Sequence, residues 1–294
     1  MIILDGKLVK ESMSVEVRRR VRALGFTPTL AIVQIGNLDR SDTYVAAKQK
    51  FAESVGINTH LASFSEEVSG AEVLEEIEAL NADPSVNGII VQLPVPNKMN
   101  TRALVDAISP EKDVDGLTAV NLKLLLENKS EGFVSATARG ILALLDYYRM
   151  PIEGKQVVVV GRSTLVGKPT ALSFLNRNAT VTIAHSHTRN LQEVTRRADI
   201  LVIAIGMARL IGKEHVSSGQ IVLDVGINLA DGKPLEEEVG LSKLVGDVDF
   251  EAVKGIVNAI SPVPGGVGPM TVLSLFENLL DAAHRQAQRN SRVY

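Results

Sequence analysis

The fold of this chain is decided by the stretch Gln156-Val157-Val158-Val159-Val160-Gly161-Arg162-Ser163-Thr164-Leu165-Val166-Gly167-Lys168-Pro169. Four consecutive valines are typical of a strand that is buried on both faces, and the two glycines bracket a turn into a helix whose first turn can hold Pro169. A helix N-terminus offers backbone N–H groups and a partial positive charge, which together favour a phosphate. We therefore interpret this stretch as a strand, a phosphate-binding loop and a helix.

The spacing of the glycines separates two kinds of phosphate loop. A nucleoside triphosphate loop has four residues between its first glycine and its Gly-Lys-Ser/Thr. Here five residues intervene, and Pro169 stands where the hydroxyl would be. A dinucleotide loop fits better, although Ser163 occupies the position of the second glycine. A strand, turn and helix without any ligand is the alternative that this stretch alone leaves open.

Composition narrows the class of protein. The chain has 294 residues, a formal net charge of −3 and no cysteine. This length favours about two domains, and the charge favours small-molecule partners over nucleic acid or a membrane surface. The absence of cysteine excludes disulfides, a thiol nucleophile and cysteine-ligated metal. The charged N-terminus does not look like a signal peptide, and no apolar run reaches the roughly 18 residues of a membrane span, so we expect a cytoplasmic protein.

Strand and helix patterns alternate along both halves of the chain. The first half predicts strands over 29–35, 58–64 and 88–92 with helices over 7–24, 41–56 and 71–80; the second half predicts strands over 155–160, 180–185, 199–206 and 221–227. Such alternation predicts parallel sheets covered by helices. The fold class is therefore α/β with two domains, an N-terminal αβα parallel-sheet substrate domain and a Rossmann-like nucleotide domain.

The end of the second strand of the nucleotide domain indicates which dinucleotide would bind. An NAD site usually presents Asp or Glu about 20 residues after the glycine loop, to bond the ribose hydroxyls. Here the position reads His185-Ser186-His187-Thr188, with no carboxylate to repel a 2′-phosphate. Arg162 would add charge-assisted hydrogen bonds of about 1.5–3 kcal/mol, which predicts NADP, unless Arg162 is simply a solvated loop residue. His185 and His187 lack the further ligands of a metal site, so no metal is predicted.

A second group of polar residues falls at the ends of the first three strands. Tyr44 and Lys48 are i and i+4 on a predicted helix and so share one face. Ser41, Gln92 and Asp115 follow the same strands and are expected to face the crevice beyond their carboxyl ends. A solvated surface lysine is the alternative reading of Lys48. A Tyr-x-x-x-Lys pair also occurs in short-chain dehydrogenases, but there it follows the glycine loop, whereas here it precedes that loop.

Several short motifs run along the chain in order. They are Tyr44-Val45-Ala46-Ala47-Lys48, Val91-Gln92-Leu93-Pro94, Pro110-Glu111-Lys112-Asp113-Val114-Asp115-Gly116, Val160-Gly161-Arg162-Ser163, Val166-Gly167-Lys168-Pro169, Asp224-Val225-Gly226-Ile227-Asn228 and Pro262-Val263-Pro264-Gly265-Gly266-Val267-Gly268-Pro269-Met270-Thr271. Together they resemble the bifunctional methylenetetrahydrofolate dehydrogenase/cyclohydrolase family. The resemblance implies NADP-dependent oxidation of 5,10-methylenetetrahydrofolate to the methenyl form and hydrolysis of that form to 10-formyltetrahydrofolate. It also implies a homodimer.

The resemblance assigns roles to the polar residues at the ends of the first three strands. Lys48 would be the general base and acid of the hydrolysis, with Gln92 bonded to it and Ser41 supporting it. Tyr44 would stack on the folate rings, and Asp115 would bond the pterin. A free lysine has a pKa near 10.4, so a base that works near pH 7 needs a lowered pKa, and burial and an adjacent substrate cation both act in that direction.

The resemblance also implies binding residues and a domain layout. Leu93, Pro264 and Gly265 would lie by the folate, and the NADP site would comprise Gly161, Arg162, Ser163, Gly167, His185, Ser186 and Ile227. The folate domain would be 1–118 with a returning C-terminal helix over 272–294, and 119–149 would form long connecting helices. The NADP domain would be 150–271, with a cleft between the two domains.

Two departures and two alternatives accompany this reading. The family usually shows Pro-Cys-Thr-Pro where this chain has Ser135-Ala136-Thr137-Ala138, which predicts a looser loop near the substrate. Ala184 and Ala208 stand where cysteine and proline are common. The main alternative is a single-activity NADP-dependent dehydrogenase of related architecture on another small substrate. A catalytically silent nucleotide-binding module is the other, and it would have no reason to keep Lys48, Gln92 and Asp115 together.

Overall fold

The structure, a computed structural model, describes residues 1–36, 39–229 and 244–290, with the side chains of 39–43 and 290 outside the description. The chain divides into two compact units. We call Met1–Ser12 with Thr137–Thr271 the six-stranded unit, and Met13–Ala136 with Val272–Tyr294 the three-stranded unit. Each is described by itself below.

The three-stranded unit is built on a parallel sheet. Its strands are β2 (Thr29–Ile35), β3 (Asn58–Phe64) and β4 (Gly88–Val91), in the order β3-β2-β4. Leu30 of the central strand lies opposite both Thr59 and Gly88. The helices are α1 (Gly6–Leu24), α2 (Asp39–Val55), α3 (Gly70–Ala82), α4 (Thr101–Asp106), α5 (Ala119–Leu126) and, towards the C-terminus, α10 (Val267–Asn290). The unit boundaries fall inside α1 and α10.

Helix α3 shows how local sequence sets this packing. Ser69 and Glu72 form a reciprocal capping box that starts the helix by satisfying two of its first N–H groups. Val73, Ile77 and Leu80 recur at helical spacing, are buried, and belong to the same apolar cluster as the residues of β2 that face them. The buried stripe therefore fixes α3 against one face of the sheet.

The six-stranded unit is a doubly wound parallel sheet. Its strands are β1 (Ile2–Ile3), β5 (Gln156–Val160), β6 (Thr180–Ala184), β7 (Ile200–Ile203), β8 (Ile221–Asp224) and β11 (Ala259–Ile260), in the order β1-β11-β8-β7-β5-β6. Helices α6 (Ala136–Tyr147), α7 (Gly167–Leu175), α8 (Leu191–Arg196) and α9 (Phe250–Val253) connect them, together with a 3-10 turn (Lys213–His215) and an antiparallel pair, β9 (Asn228–Leu229) and β10 (Leu244–Val245). The strand order reverses between β5 and β7, where such sheets bind dinucleotides.

The fold class predicted from the sequence is confirmed, while the limits of several elements and of both units differ from those predicted. Residues 1–12 belong to the six-stranded unit, because the backbone N–H groups of Ile2 and Leu4 bond the carbonyls of Asn258 and Ile260. Helix α5 lies within the three-stranded unit, and α6 begins at Ala136. Strands 199–206 and 221–227 are shorter than predicted. Among the described residues, no helix is both long and apolar enough to cross a membrane.

Candidate active site

Helix α2 carries three of the predicted site residues. Tyr44 and Lys48 are half-buried and lie one helical turn apart, as their spacing predicted. The helix is anchored further along, where the ring of Phe51 meets Phe276 edge-on with 5.1 Å between ring centroids. Ser41 also lies in α2, but its side chain is outside the described residues.

Lys48 is joined to the residue that follows the third strand of its sheet. The N–H of Gln92 bonds the Val33 carbonyl at 2.8 Å, which continues the pairing of β4 with β2. The side-chain Nε2 of Gln92 donates to the carbonyl of Leu93 at 2.7 Å, so its Oε1 remains to accept. Lys48 Nζ donates to that Oε1 at 2.5 Å. The predicted contact between Lys48 and Gln92 is therefore present.

Asp115 sits on a loop that a second carboxylate holds in shape. Asp113 is fully buried and accepts hydrogen bonds from the backbone N–H groups of Leu117 and Thr118, at 3.2 and 2.8 Å. It also accepts from Asn121 Nδ2 at 2.8 Å. These bonds close the loop over residues 113–118, so Asp113 acts as a structural residue.

The same loop passes very close to the segment that departs from the family pattern. Gly116 has φ 69°, and a Cβ there would lie 2.8 Å from the carbonyl oxygen of Phe133 and from the N atom of Ser135. The carbonyl of Asp115 accepts the Ala136 N–H at 3.1 Å. Glycine is required at 116 both by its conformation and by this approach. The looser loop expected here stays a prediction.

Burial brings the pKa values of the two central charges towards each other. It lowers the pKa of Lys48, and the negative charge of Asp115 opposes that shift only in part. Burial raises the pKa of Asp115 to about 6, against the opposing charge of Lys48 and with a smaller contribution from Asp113. A buried lysine and carboxyl with shifted pKa values are typical of groups that hold and move protons.

The glycine loop forms a separate candidate site, in the six-stranded unit. Gly161 has φ 128°, and a Cβ on it would lie 2.3 Å from the carbonyl oxygen of Ala204. A Cβ on Gly167 would lie 2.3 Å from the carbonyl oxygen of Gly161. Both glycines are therefore needed for the close passage of backbone that a phosphate loop requires.

Ser163 has a task that its sequence position did not reveal. Its Oγ accepts the N–H groups of Val166 and Gly167 at 3.1 and 3.3 Å, and its carbonyl accepts the N–H of Lys168 at 3.0 Å. The serine thus satisfies donors at the start of α7. The first N–H groups of the helix are therefore bonded within the protein.

The residues predicted to select the cofactor lie together beside this loop. Burial, the positive charge of Arg162 and the neighbouring His187 all lower the pKa of His185. His185 Nδ1 accepts the His187 N–H at 3.2 Å, and the His185 N–H bonds Thr188 Oγ1 at 2.8 Å. Arg162 and Ser186 are exposed. Within the described ranges there is no group of three or more His, Cys, Asp or Glu placed to hold a metal ion.

The remaining predicted residues follow later strands of the same sheet. Ile227 lies just beyond β8, and Pro264 and Gly265 lie beyond β11. The carbonyl of Gly265 accepts the N–H groups of Gly6 and Lys7 at 2.9 and 3.1 Å. A Cβ on Gly6 would lie 1.8 Å from the carbonyl oxygen of Gly266. The start of α1 therefore braces this loop, a contact that no local sequence signal indicated.

The structure thus forms two groups, each within one unit. Tyr44, Lys48, Gln92, Leu93 and Asp115 belong to the three-stranded unit. The six-stranded unit contains the predicted cofactor residues together with Pro264 and Gly265. Sequence reasoning missed Gly6 and two buried carboxylates, Asp224 and Asp247, which lie near Ile227. Most of their partners are backbone groups that are distant in sequence and leave no recognisable spacing.

Two family models match successive parts of the chain. Residues 4–115 match the model of the tetrahydrofolate dehydrogenase/cyclohydrolase catalytic domain, and residues 135–287 match that of the family's NAD(P)-binding domain. The chain is 45% identical to the bifunctional protein FolD of Lactobacillus helveticus, over 98% of this chain and 99% of that protein. It is 46% identical to the FolD protein of Methanoculleus marisnigri, over 99% of this chain and 100% of that one.

Solved structures show the same relationship. The bifunctional FolD methylenetetrahydrofolate dehydrogenase/cyclohydrolase of Campylobacter jejuni superposes with a TM-score of 0.91 at 38% identity, covering 97% of this chain and 99% of its own. The Trypanosoma brucei enzyme, solved with NADP and an inhibitor, gives a TM-score of 0.89 at 33% identity, covering 97% of this chain and 98% of its own. With both domain models matched in order along it, this chain belongs to the tetrahydrofolate dehydrogenase/cyclohydrolase family.

Proposed function

We propose that this chain oxidises 5,10-methylenetetrahydrofolate with NADP to 5,10-methenyltetrahydrofolate and hydrolyses the product to 10-formyltetrahydrofolate. The observation that carries the proposal is the 2.5 Å contact between Lys48 and Gln92, with Asp115 interacting electrostatically with the same lysine. Lys48 and Gln92 both lie within residues 4–115, which match the family's catalytic domain. A dehydrogenase without hydrolytic activity would need no proton-transfer group there.

The residues of the glycine loop suit NADP. Among the described residues, none accepts a hydrogen bond from the backbone N–H of Arg162 or Thr164, so both can meet a phosphate. Arg162 supplies a positive charge beside His185, and no carboxylate follows β6 to repel a 2′-phosphate. When bound, NADP supplies the hydride acceptor. We propose that Gly161, Ser163, Gly167, Ser186 and Ile227 complete its site.

Hydride transfer itself requires little from the side chains of the three-stranded unit. Loss of hydride from the methylene carbon leaves a cation stabilised by the adjacent nitrogens, so no acid or base is needed in that step. The contribution of the chain is to orient the folate. We propose that Tyr44, Leu93, Pro264 and Gly265 contact it and that Asp115 bonds the pterin.

Hydrolysis does require proton transfer, and Lys48 is the group we assign to it. In its neutral form Lys48 accepts one proton from the water that adds to the methenyl carbon. As the C–N bond of the adduct breaks and its C–O bond becomes the formyl C=O, the ammonium returns that proton to the departing nitrogen, and the remaining hydroxyl proton is released to solvent. Burial lowers the pKa of Lys48, which increases the neutral fraction. Gln92 holds the amine in place, and we propose that Ser41 supports it.

We also propose that the enzyme is a homodimer. Strand β3 lies at the edge of its sheet, and Leu61 on it is 39% exposed, which fits a surface covered by a second copy. Sedimentation velocity should give twice the mass of one chain, and a monomer at micromolar concentration would contradict the proposal. The expected cytoplasmic location stays a prediction.

The test of the hydrolytic role replaces Lys48 by methionine, which keeps most of the stem volume and removes the amine. We expect Lys48→Met to lower the rate of methenyl hydrolysis by about 10²–10⁴-fold, the usual contribution of general acid–base catalysis. Formation of NADPH should continue, and the methenyl form should accumulate, as followed by absorbance.

Lys50→Met is the matched control, because Lys50 is an exposed residue of the same helix. It should leave both rates unchanged. Hydrolysis at the normal rate by Lys48→Met would show that another group transfers the proton.

A further inference from the structure

Two buried carboxylates lie in the six-stranded unit outside the residues assigned above. Asp247 follows β10 and is fully buried. Its Oδ2 accepts the N–H groups of Ile205 and Gly206 at 2.7 and 3.0 Å. Its Oδ1 accepts the N–H of Met207 and Asn228 Nδ2, both at 2.8 Å. One carboxylate therefore joins the segment after β7 to the segment after β8.

The second carboxylate, Asp224, holds the backbone at Asp247 in position. Asp224 is the last residue of β8 and is 3% exposed. Its Oδ1 accepts the N–H groups of Gly226 and Asp247 at 3.0 Å, and its Oδ2 accepts the N–H of Val248 at 2.9 Å. Burial raises the pKa of Asp224 to about 7, and backbone hydrogen bonds oppose this shift. The two side chains thus form one connected network.

Glycines make room for both carboxylates. A Cβ on Gly226 would lie 2.1 Å from Cγ of Asp247, and a Cβ on Gly246 would lie 1.8 Å from Oδ2 of Asp224. A real Cβ is never this close to another heavy atom, so each carboxylate packs against glycine backbone. Glycine is therefore required at positions 226 and 246 for this network to form.

The sheet order indicates what the network supports. In a doubly wound sheet a dinucleotide lies across the point where the strand order reverses, with one half over each set of strands. Strands β5 and β6, with the glycine loop and Arg162, form one set, and β7 and β8 lie in the other. The segments that Asp247 joins, 205–207 and 226–228, follow β7 and β8 and include Ile227. They lie on the side of the nicotinamide half.

We propose that Asp247 is a positioning residue for the nicotinamide half of NADP, holding segments 205–207 and 226–228 in the backbone arrangement that receives it. This inference rests on the proposed use of NADP. Asp247 acts through the backbone rather than by touching the cofactor, because its four acceptor positions are taken by Ile205, Gly206, Met207 and Asn228.

The substitution Asp247→Asn tests this role. It keeps the shape of the side chain but replaces one acceptor oxygen by a donor, so that part of the network faces like groups. The competent loop arrangement becomes less populated, and the apparent Kd rises in proportion. By calorimetry on the full chain we expect the Kd of NADP to rise about tenfold, equivalent to about 1.4 kcal/mol. The Kd of adenosine 2′,5′-bisphosphate, which carries only the other half, should stay within about twofold.

Asp249→Ala is the matched control. Asp249 lies two residues further on and caps α9 by accepting the Ala252 N–H at 3.1 Å, with no bond to the two segments. Its loss should lower the thermal midpoint without changing the Kd of NADP. The inference is overturned if this control weakens NADP as much as Asp247→Asn does, or if Asp247→Asn weakens both ligands equally or neither.

A second variant carries the test if Asp247→Asn does not fold. Asn228→Ala removes one donor to Asp247 from a partly exposed residue and should raise the Kd of NADP about threefold, with adenosine 2′,5′-bisphosphate unaffected. An unchanged Kd of NADP in this variant overturns the inference. If the unmodified chain binds neither ligand, the proposed use of NADP fails instead.

Discussion

Replacing Asp115 by asparagine should make the three-stranded unit more stable above neutral pH. The same substitution should weaken the binding of tetrahydrofolate. Burial raises the pKa of this carboxyl from its usual 3.8 to about 6. The folded chain therefore binds a proton more tightly than the unfolded chain, and ionisation of Asp115 opposes folding. Its contribution to stability is fully present below pH 3.8 and is lost as the pH rises through about 6.

The magnitude follows from the size of that difference. Each pKa unit corresponds to 1.36 kcal/mol, so the change from 3.8 to about 6 is worth about 3 kcal/mol. We take this as an upper value, because part of Asp115 is exposed to solvent. Between pH 8 and pH 5 the linkage relation gives about 1.4 kcal/mol of this change. Asparagine cannot ionise, so the free energy of unfolding of Asp115→Asn should lack this pH-dependent change.

Chemical denaturation followed by circular dichroism at pH 5, 6, 7 and 8 measures the effect. The quantity to compare is the free energy of unfolding of the variant minus that of the parent chain. Titrating groups that do not interact with Asp115, including Asp224 with its pKa of about 7, are present in both chains and cancel in that difference. We expect the variant to be the more stable chain at pH 8 and its advantage to shrink towards pH 5.

Glu78→Gln provides the control, because Glu78 is an exposed carboxylate on α3 of the same unit. Its difference curve should be flat over this range. The reasoning is refuted if the curves of Asp115→Asn and of the parent chain run parallel from pH 5 to pH 8. Binding of tetrahydrofolate, measured on the same samples, should weaken in Asp115→Asn and stay unchanged in Glu78→Gln.

Two further outcomes concern the glycine loop. Gly167→Ala would place a Cβ 2.3 Å from the carbonyl oxygen of Gly161, a backbone atom that cannot move aside. This variant should raise the Kd of NADP at least about tenfold. Gly255→Ala is the control, because nothing lies within 4 Å of its Cβ, and it should leave that Kd unchanged. Arg162→Gln removes the donor of the proposed charge-assisted hydrogen bond to the 2′-phosphate and should lower the ratio of kcat/KM for NADP over NAD by about 10- to 100-fold. An unchanged ratio would place NADP selection elsewhere.

Local patterns were enough to predict most of the fold. The valine run of β5 and the spacing of Gly161 and Gly167 are contained within a few residues, and the predicted loop is present. The helical spacing of Tyr44 and Lys48 likewise placed both on one side of α2. The contact of Lys48 with Gln92 joins residues 44 apart in sequence, and it was expected only because the motifs resemble a known family.

Contacts between distant backbone segments could not be predicted. Strands β1 and β11 have two residues each, too few for an alternating pattern, and they pair across almost the whole chain. Asp247 lies 40 to 42 residues from the three residues whose backbone N–H groups donate hydrogen bonds to it. Because every residue except proline carries such a donor, the partners of Asp247 leave no mark in the sequence. The bracing of Gly265 by Gly6 escaped prediction for the same reason.

The buried carboxylates of this chain separate into two kinds by what they accept. Asp113 and Asp224 each accept three hydrogen bonds from the protein, and Asp247 accepts four, so their oxygens are satisfied without a ligand. Asp115 differs, because none of the described residues donates a hydrogen bond to its carboxylate, although burial raises its pKa to about 6. A desolvated carboxylate without protein donors is costly unless something else supplies them. Under the proposed function, the donor edge of a pterin supplies these hydrogen bonds, so binding of a folate should offset part of the stability lost at Asp115.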